Sequence, residues 1–279
     1  MRHDQTMPKK HCQAALIWLF AGFGAAIAFS QDTPADAAKT ERENWLKQRT
    51  LEFESYRFEL EGLTSRKLVL ETKAILDWSN PERGTFFGAT FLWTYEGRPE
   101  LIGDAYGRGQ HLRHEFQSLS TEPISAGRRG NHLHRFKPGI QWHDLAGAPP
   151  PSKSSALRLT QMRRQAERFR VTVVTQKPNE NEQAAPLRLL TQPVYRSPET
   201  SAADIGLFEY VQGTDPECAL LVEITPEKQW RYTLARQTGA ALKIELDGQQ
   251  VLELPRLRPP PDPESSFLFL IPPEARGGN

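Results

Sequence analysis

Gly206-Leu-Phe-Glu-Tyr-Val-Gln-Gly213, the turn Thr214-Asp215-Pro216 and Glu217-Cys-Ala-Leu-Leu-Val-Glu-Ile224 decide the fold class. Three further runs follow, Trp230–Arg236, Leu242–Leu246 and Val251–Leu254, with breaks at Thr225-Pro226-Glu227-Lys228 and Asp247-Gly248. Each run is rich in β-branched, aromatic or leucine side chains, and each break in Gly, Pro or Asp. This pattern predicts a meander of consecutive antiparallel strands, because the breaks are too short for parallel crossovers.

Upstream, Thr33 and Pro34 suit a helix N-cap and first position, and Trp45, Leu46, Phe53, Tyr56, Leu60 and Leu63 recur at helical spacing. They predict an amphipathic helix within 31–62. Residues 68–79 alternate as a half-buried strand, and 86–95 are apolar nearly throughout, as in a strand covered on both faces. Glu96-Gly97-Arg98-Pro99 turns the chain into a strand over 100–106. In the next strand, 110–120, Leu112, His114, Phe116 and Ser118 share one face, and His111, Arg113, Glu115 and Gln117 the other.

Short strands are expected at 132–136 and 140–145. Residues 148–153 form a proline-rich connector to a second helix capped at Ser154 or Ser155. A strand at 171–175, an edge strand broken by Pro193 within 187–196 and a last strand at 267–271 complete the pattern. Each half offers a helix followed by strands, the layout a duplication leaves, although no matching residues stand out. The fold class is α+β and β-rich. It consists of antiparallel sheets, as a curved sheet or a two-layer sandwich, with two packing helices and a single domain over 63–279.

The hydrophobic fraction of 38% and charged fraction of 25% are those of an ordinary globular chain. A formal net charge of +1 argues against an electrostatic nucleic-acid binder, so none is expected as a partner. Arg2, Lys9 and Lys10 precede the apolar run Ala14–Phe29, and Ala28 and Ser30 place small residues before Gln31. Residues 1–30 thus read as a secretory signal peptide. The run is shorter than the ~20 residues of a spanning helix, so no stable membrane span is expected after cleavage. Cutting there lowers the 35 basic and 34 acidic residues to 32 and 33. It also removes Cys12 and leaves Cys218 alone, which excludes an intrachain disulfide.

Candidate chemistry is sparse. His132-Leu-His134 has the i, i+2 spacing of two metal ligands on one strand face, and His111, His114, Glu115, His143 and Asp144 are near in sequence. A zinc-dependent hydrolase is the alternative reading these residues permit; the simpler one is a histidine-bearing surface loop. Glu96, Glu100, Asp104 and Glu115 supply a candidate carboxylate pair of the kind glycoside hydrolysis needs. Arginines from Arg108 to Lys137 form a candidate basic patch, in which Arg113, His114 and Glu115 are the binding residues singled out. Gln212, Asp215 and Arg236 are expected to fix strand register. No nucleophile elbow, phosphate loop or dinucleotide fingerprint occurs.

Several stretches are familiar together: Asp77-Trp-Ser-Asn-Pro81 with Gly88–Thr94, His114–Ser120, Leu187–Tyr195, Phe208–Glu217 and Trp230–Arg236. In this order they resemble a family of uncharacterised secreted proteins of planctomycete bacteria. The resemblance spans most of the chain after residue 30. It implies export and a single domain and carries no activity. The expected function is an exported, non-catalytic binding or structural module of the cell envelope, with a glycan or an envelope protein as partner. A further reading makes the N-terminal helix the attachment point, with Trp45, Phe53 and Tyr56 as anchors.

Overall fold

The computed structural model describes residues 34–62, 64, 66–108, 111–175, 181–258 and 264–272. The segment 1–30, read above as a signal peptide, lies outside them. The first half runs α1 (Pro34–Phe53), β1 (Tyr56–Leu60), β2 (Arg66–Lys67), β3 (Val69–Leu70), β4 (Leu76–Asn80), β5 (Thr85–Tyr95), β6 (Arg98–Arg108), β7 (His111–Ser118), β8 (Ile124–Arg128) and β9 (Asn131–Phe136). A short β10 (His143–Asp144) leads into the second half. There follow α2 (Ser155–Ala166), β11 (Phe169–Thr175), β12 (Gln183–Pro186), β13 (Arg188–Leu189), β14 (Tyr195–Arg196) and β15 (Asp204–Gln212). The chain closes with β16 (Asp215–Ile224), β17 (Trp230–Arg236), β18 (Ala241–Leu246), β19 (Gln249–Leu254) and β20 (Phe267–Leu270).

The fold is β-rich, with four antiparallel sheets and two helices among the described residues, in line with the sequence. The halves repeat one another. Sheet β2-β1-β8-β9 matches β12-β11-β18-β19, and β7-β6-β5-β3 with β4 on β5 matches β17-β16-β15-β13 with β14 on β15. The trailing strands are exchanged. β10, which follows the first half, pairs with β17, and β20, which follows the second, pairs with β7.

Each half closes its two sheets over its own core. Phe53, the last residue of α1, is fully buried against Phe91, Trp93 and Phe116, with the Phe91 ring centroid 4.3 Å away. Burial of such a ring contributes roughly 1.5–3 kcal/mol. Met162 and Ala166 of α2 pack in the second core with Phe208, Leu220 and Ile244. A third cluster, with Leu92, Ile102, Leu207, Ala219 and Leu221, joins the two large sheets face to face.

Four expectations change. The first helix ends at Phe53, because Tyr56, Phe58 and Leu60 alternate inward as β1 and make it a strand. Residues 68–79 are not one strand: the chain crosses between sheets at buried Leu68, whose N–H bonds Phe58 O. The meander also splits after Arg236, since β18 leaves β17 to pair with β11 and sends Leu242 and Ile244 into the second core. Phe53 and Tyr56 belong to the first core, so they are not free to act as external anchors.

Candidate functional site

A match between the halves that the sequence hid locates the site. β6 opens Arg98-Pro99-Glu100-Leu101 and β16 opens Asp215-Pro216-Glu217-Cys218. In both, the register skips one residue after the proline, from Thr94↔Pro99 to Trp93↔Leu101 and from Val211↔Pro216 to Tyr210↔Cys218. A β-bulge therefore holds Glu100 in one half and Glu217 in the other. Each bulged glutamate accepts a backbone bond from the stretch after the third long strand, Leu119 N to Glu100 O and Gln237 N to Glu217 O. Each strand start meets the other half, which creates two related seams.

One seam is closed by charge pairing. Arg98 Nη1 bonds Glu223 Oε1 at 3.1 Å, and Arg231 Nη2 bonds Glu223 Oε2 at 3.0 Å. Both guanidinium groups stack on Trp142, 5.0 and 5.1 Å from its ring centroid. Arg98 Nε also lies 3.6 Å from Glu100 Oε1, so two cations meet two buried carboxylates.

The other seam is open. Asp215 replaces the arginine, Tyr106 takes the place of Glu223, and Arg113 lies over Phe269 at 5.6 Å as Arg231 lies over Trp142. The result is a recess of about 220 Å³ with Asp104, Glu115, Asp215, Glu217 and Gln237 in its walls. Asp104 and Glu115 are direct cross-strand partners. Thr90 Oγ1 donates to Asp104 at 2.6 Å and in turn accepts from Trp78 Nε1 at 3.2 Å. The Tyr106 hydroxyl donates to Glu115 at 2.5 Å. Arg83, from a short helical turn after β4, pairs with Glu217 and Asp215 and donates to Gln212. Asn80 Nδ2 donates to Asp215 at 2.9 Å.

This acidity is held at a cost. Burial pushes the Asp104 carboxyl up to about 7, aided by the nearby charge of Asp215. Burial raises Glu115 to about 8, and Asp104, Asp215 and Glu217 add repulsion. Glu217 rises to about 7, burial outweighing the attraction of Arg83. Beneath them Glu209, fully buried with neither carboxyl oxygen bonded, lies well above the usual carboxylate range, chiefly through burial. Three buried atoms on the recess wall have no hydrogen-bond partner: the acceptors Oε2 of Glu217 and Oε1 of Gln237, in residues 1% and 4% exposed, and the donor Nε of Arg113.

The residues named from sequence separate. Arg113 and Glu115 line the recess. His114 points the other way into the first core, 2.7 Å from Tyr56 Oη, where burial lowers its basicity. His132 is exposed, whereas His134 is buried and lies 3.1 Å from Ser265 O. Among the described residues no group of three His, Cys, Asp or Glu side chains is arranged to hold a metal ion. Of the candidate carboxylates, Asp104 and Glu115 come together, Glu100 belongs to the closed seam and Glu96 sits in the hairpin turn at φ 50°. Gln212 and Asp215 pair across their turn, but Arg236 bonds Pro255 O instead. Basic-patch arginines are engaged structurally: Arg128 with Glu52 and Arg135 with Glu61. Cys218 is fully buried, which pushes its thiol up and leaves it inert.

A larger, shallower groove of about 740 Å³ runs past Tyr56, Trp93 and His132. Among the described residues no unpartnered buried side-chain atom lines it. Sequence reasoning missed Asp215, Glu217 and Gln237 because Asp-Pro reads as ordinary turn chemistry. The detectable signal was the repeated Pro-Glu at the two strand starts.

No protein-family model, curated protein or solved structure matches this chain.

Proposed function

We propose that the protein is an exported, non-catalytic binding module of the cell envelope whose ligand occupies the recess between the two halves. Export rests on the pattern in residues 1–30. Among the described residues no helix is long and apolar enough to cross a membrane. The observation that carries the binding reading is the pair of unpartnered acceptors, Glu217 Oε2 and Gln237 Oε1, on the recess wall. A buried acceptor left unsatisfied costs about 1–3 kcal/mol, and a ligand that donates to it recovers that loss. Phe269 at the mouth is 38% exposed and adds apolar surface beside the Arg113 that lies over its ring.

The test is thermal unfolding of the purified protein with a panel of glycans, with a chelator, and with zinc or calcium. A rise with one glycan class that disappears in Glu217→Gln supports the reading. Shifts that survive this change would overturn it, as would the absence of a shift with every glycan and with the small amines n-butylammonium and glucosamine. A fall with chelator restored by zinc would instead favour the metal-dependent hydrolase built on His132 and His134.

A further inference from the structure

We propose that the recess takes a compact organic cation, a primary ammonium on a small carbon frame, seated where the related seam places the Arg98 guanidinium. This rests on the recess being a binding site and names the chemistry of its ligand.

The two seams act as an internal comparison. In the closed one, Glu223 is met by Arg98 and Arg231, and both cations lie on Trp142. In the open one the position of Arg98 is an aspartate; Arg83 and Arg113 again supply two cations, but they face four carboxylates, Asp104, Glu115, Asp215 and Glu217. The ionisable groups facing the recess are Asp104 and Tyr106 on β6, Arg113 and Glu115 on β7, Asp215 and Glu217 on β16 and Arg83 beyond β4, with Glu209 of β15 beneath. Arg83 is committed to Asp215, Glu217 and Gln212, and Arg113 stacks on Phe269. Asp104 and Glu115 are left with hydroxyl and amide donors, from Thr90, Gln237 and Tyr106.

The shape favours an ammonium over a bare metal. No three acidic or histidine groups are placed to hold a metal ion among the described residues. An ammonium carries three divergent N–H donors, which can reach separated carboxylates and the neutral Oε1 of Gln237 together. Trp78, Pro216 and Phe269 in the walls offer apolar cover for the carbon frame. A volume of about 220 Å³ lies below the ~300–1,000 Å³ of drug-sized sites, so it admits one small group rather than a chain of sugar units. Because the raised carboxyls hold protons near neutrality, entry of a cation should release protons, and binding should strengthen as pH rises.

The experiment is isothermal titration with n-butylammonium and n-butanol at pH 6 and pH 8. Glucosamine and glucose at pH 7 distinguish a sugar-borne amine from an alkyl one, and calcium chloride is the metal probe. The expected result is binding of an ammonium compound at least tenfold tighter than its uncharged counterpart, and at least threefold tighter at pH 8 than at pH 6 for n-butylammonium. Asp215→Asn and Glu115→Gln, both isosteric, should each weaken it tenfold or more, with an unchanged or raised melting temperature showing that the fold is kept. Equal binding of charged and uncharged probes, or of calcium alone, would overturn the cation assignment. A neutral glycan bound at the recess without any ammonium response would do the same while leaving the binding module standing. Absence of any binding would remove both.

Discussion

Arg98 and Asp215 occupy the same position in the two halves, each opening the second long strand before a proline and a bulged glutamate, and they carry opposite charge. Arg98 ties the closed seam together through Glu223. Asp215 adds a carboxylate to a seam that already holds Asp104 and Glu115. One fold thus presents a charge-balanced joint on one side and an acidic recess on the other. If stability alone were at stake, the arginine would serve both seams.

The closed seam should depend on its arginine. Glu223 is 1% exposed at its side chain, and Arg98→Ala leaves it with Arg231 alone and removes the arginine beside buried Glu100. The expected loss is about 1–3 kcal/mol, less than for a buried charge left wholly unpaired. Urea midpoints at constant slope would measure it. A change within experimental error would show that Arg231 is sufficient.

Stability should also fall as the solution becomes alkaline. Asp104, Glu100 and Glu217 have folded values of about 7 and Glu115 about 8, against ordinary values of 3.8 for Asp and 4.5 for Glu. Their contribution is fully present below pH ~4 and is lost as pH rises through 7 to 8, because the folded state holds protons that the unfolded state has released. His114, lowered by burial, acts in the opposite sense as pH falls. Comparison with Glu115→Gln isolates the carboxyl effect: the variant should match the parent below pH ~4. At pH 8.5 it should exceed it by about 3–5 kcal/mol. Parallel pH profiles for the two proteins would contradict this.

How much of this was legible in the sequence differs residue by residue. The period-two alternation of 111–118 correctly set Arg113 and Glu115 apart from His114, since side-chain direction along a strand is local. The turn at Glu96-Gly97 was equally plain, both residues having positive φ. Tyr56 and Leu60 were misassigned because spacing of four residues satisfies both a helix face and alternate positions of a strand. The recess was out of reach for another reason. Asp104 and Asp215 come together only after the two large sheets pack, and the packing residues, Leu92 and Leu221 among them, look like any other core. The exchange of β10 and β20 is likewise invisible, because two short runs give no sign of which half they join.

The floor of the recess should be sensitive to Gly88, although Gly88 itself does not line it. A Cβ there would lie 2.4 Å from Cδ2 of Trp78, its cross-strand partner. Gly88→Ala must displace the indole, and through it the bonds from Trp78 to Thr90 and from Thr90 to Asp104. Overpacking of this kind costs roughly 1–3 kcal/mol. The expected outcome is a lower melting temperature together with altered tryptophan fluorescence. An unchanged emission spectrum would mean that the strand moves instead of the ring.

The exchanged strand β20 should be a structural necessity rather than an appendage. Phe267 is buried, and Leu268 and Leu270 pack against the first core. Ser118 N bonds Ser266 O, and His134 approaches Ser265 O. Phe269 supplies the face on which Arg113 rests at the recess. A chain ending at Arg258 loses all of these and exposes the edge of β7, whose unpaired backbone groups become a template for other strands. The melting temperature should fall by several degrees, at about 2–4 °C per kcal/mol for a domain of this size. Size-exclusion chromatography should show association that increases with concentration. Adding a peptide of residues 264–272 in excess should reverse both effects, because the β7 edge that it covers belongs to the first half. A shortened chain that stays monomeric and melts at the parent temperature would show that the exchange contributes nothing to the fold.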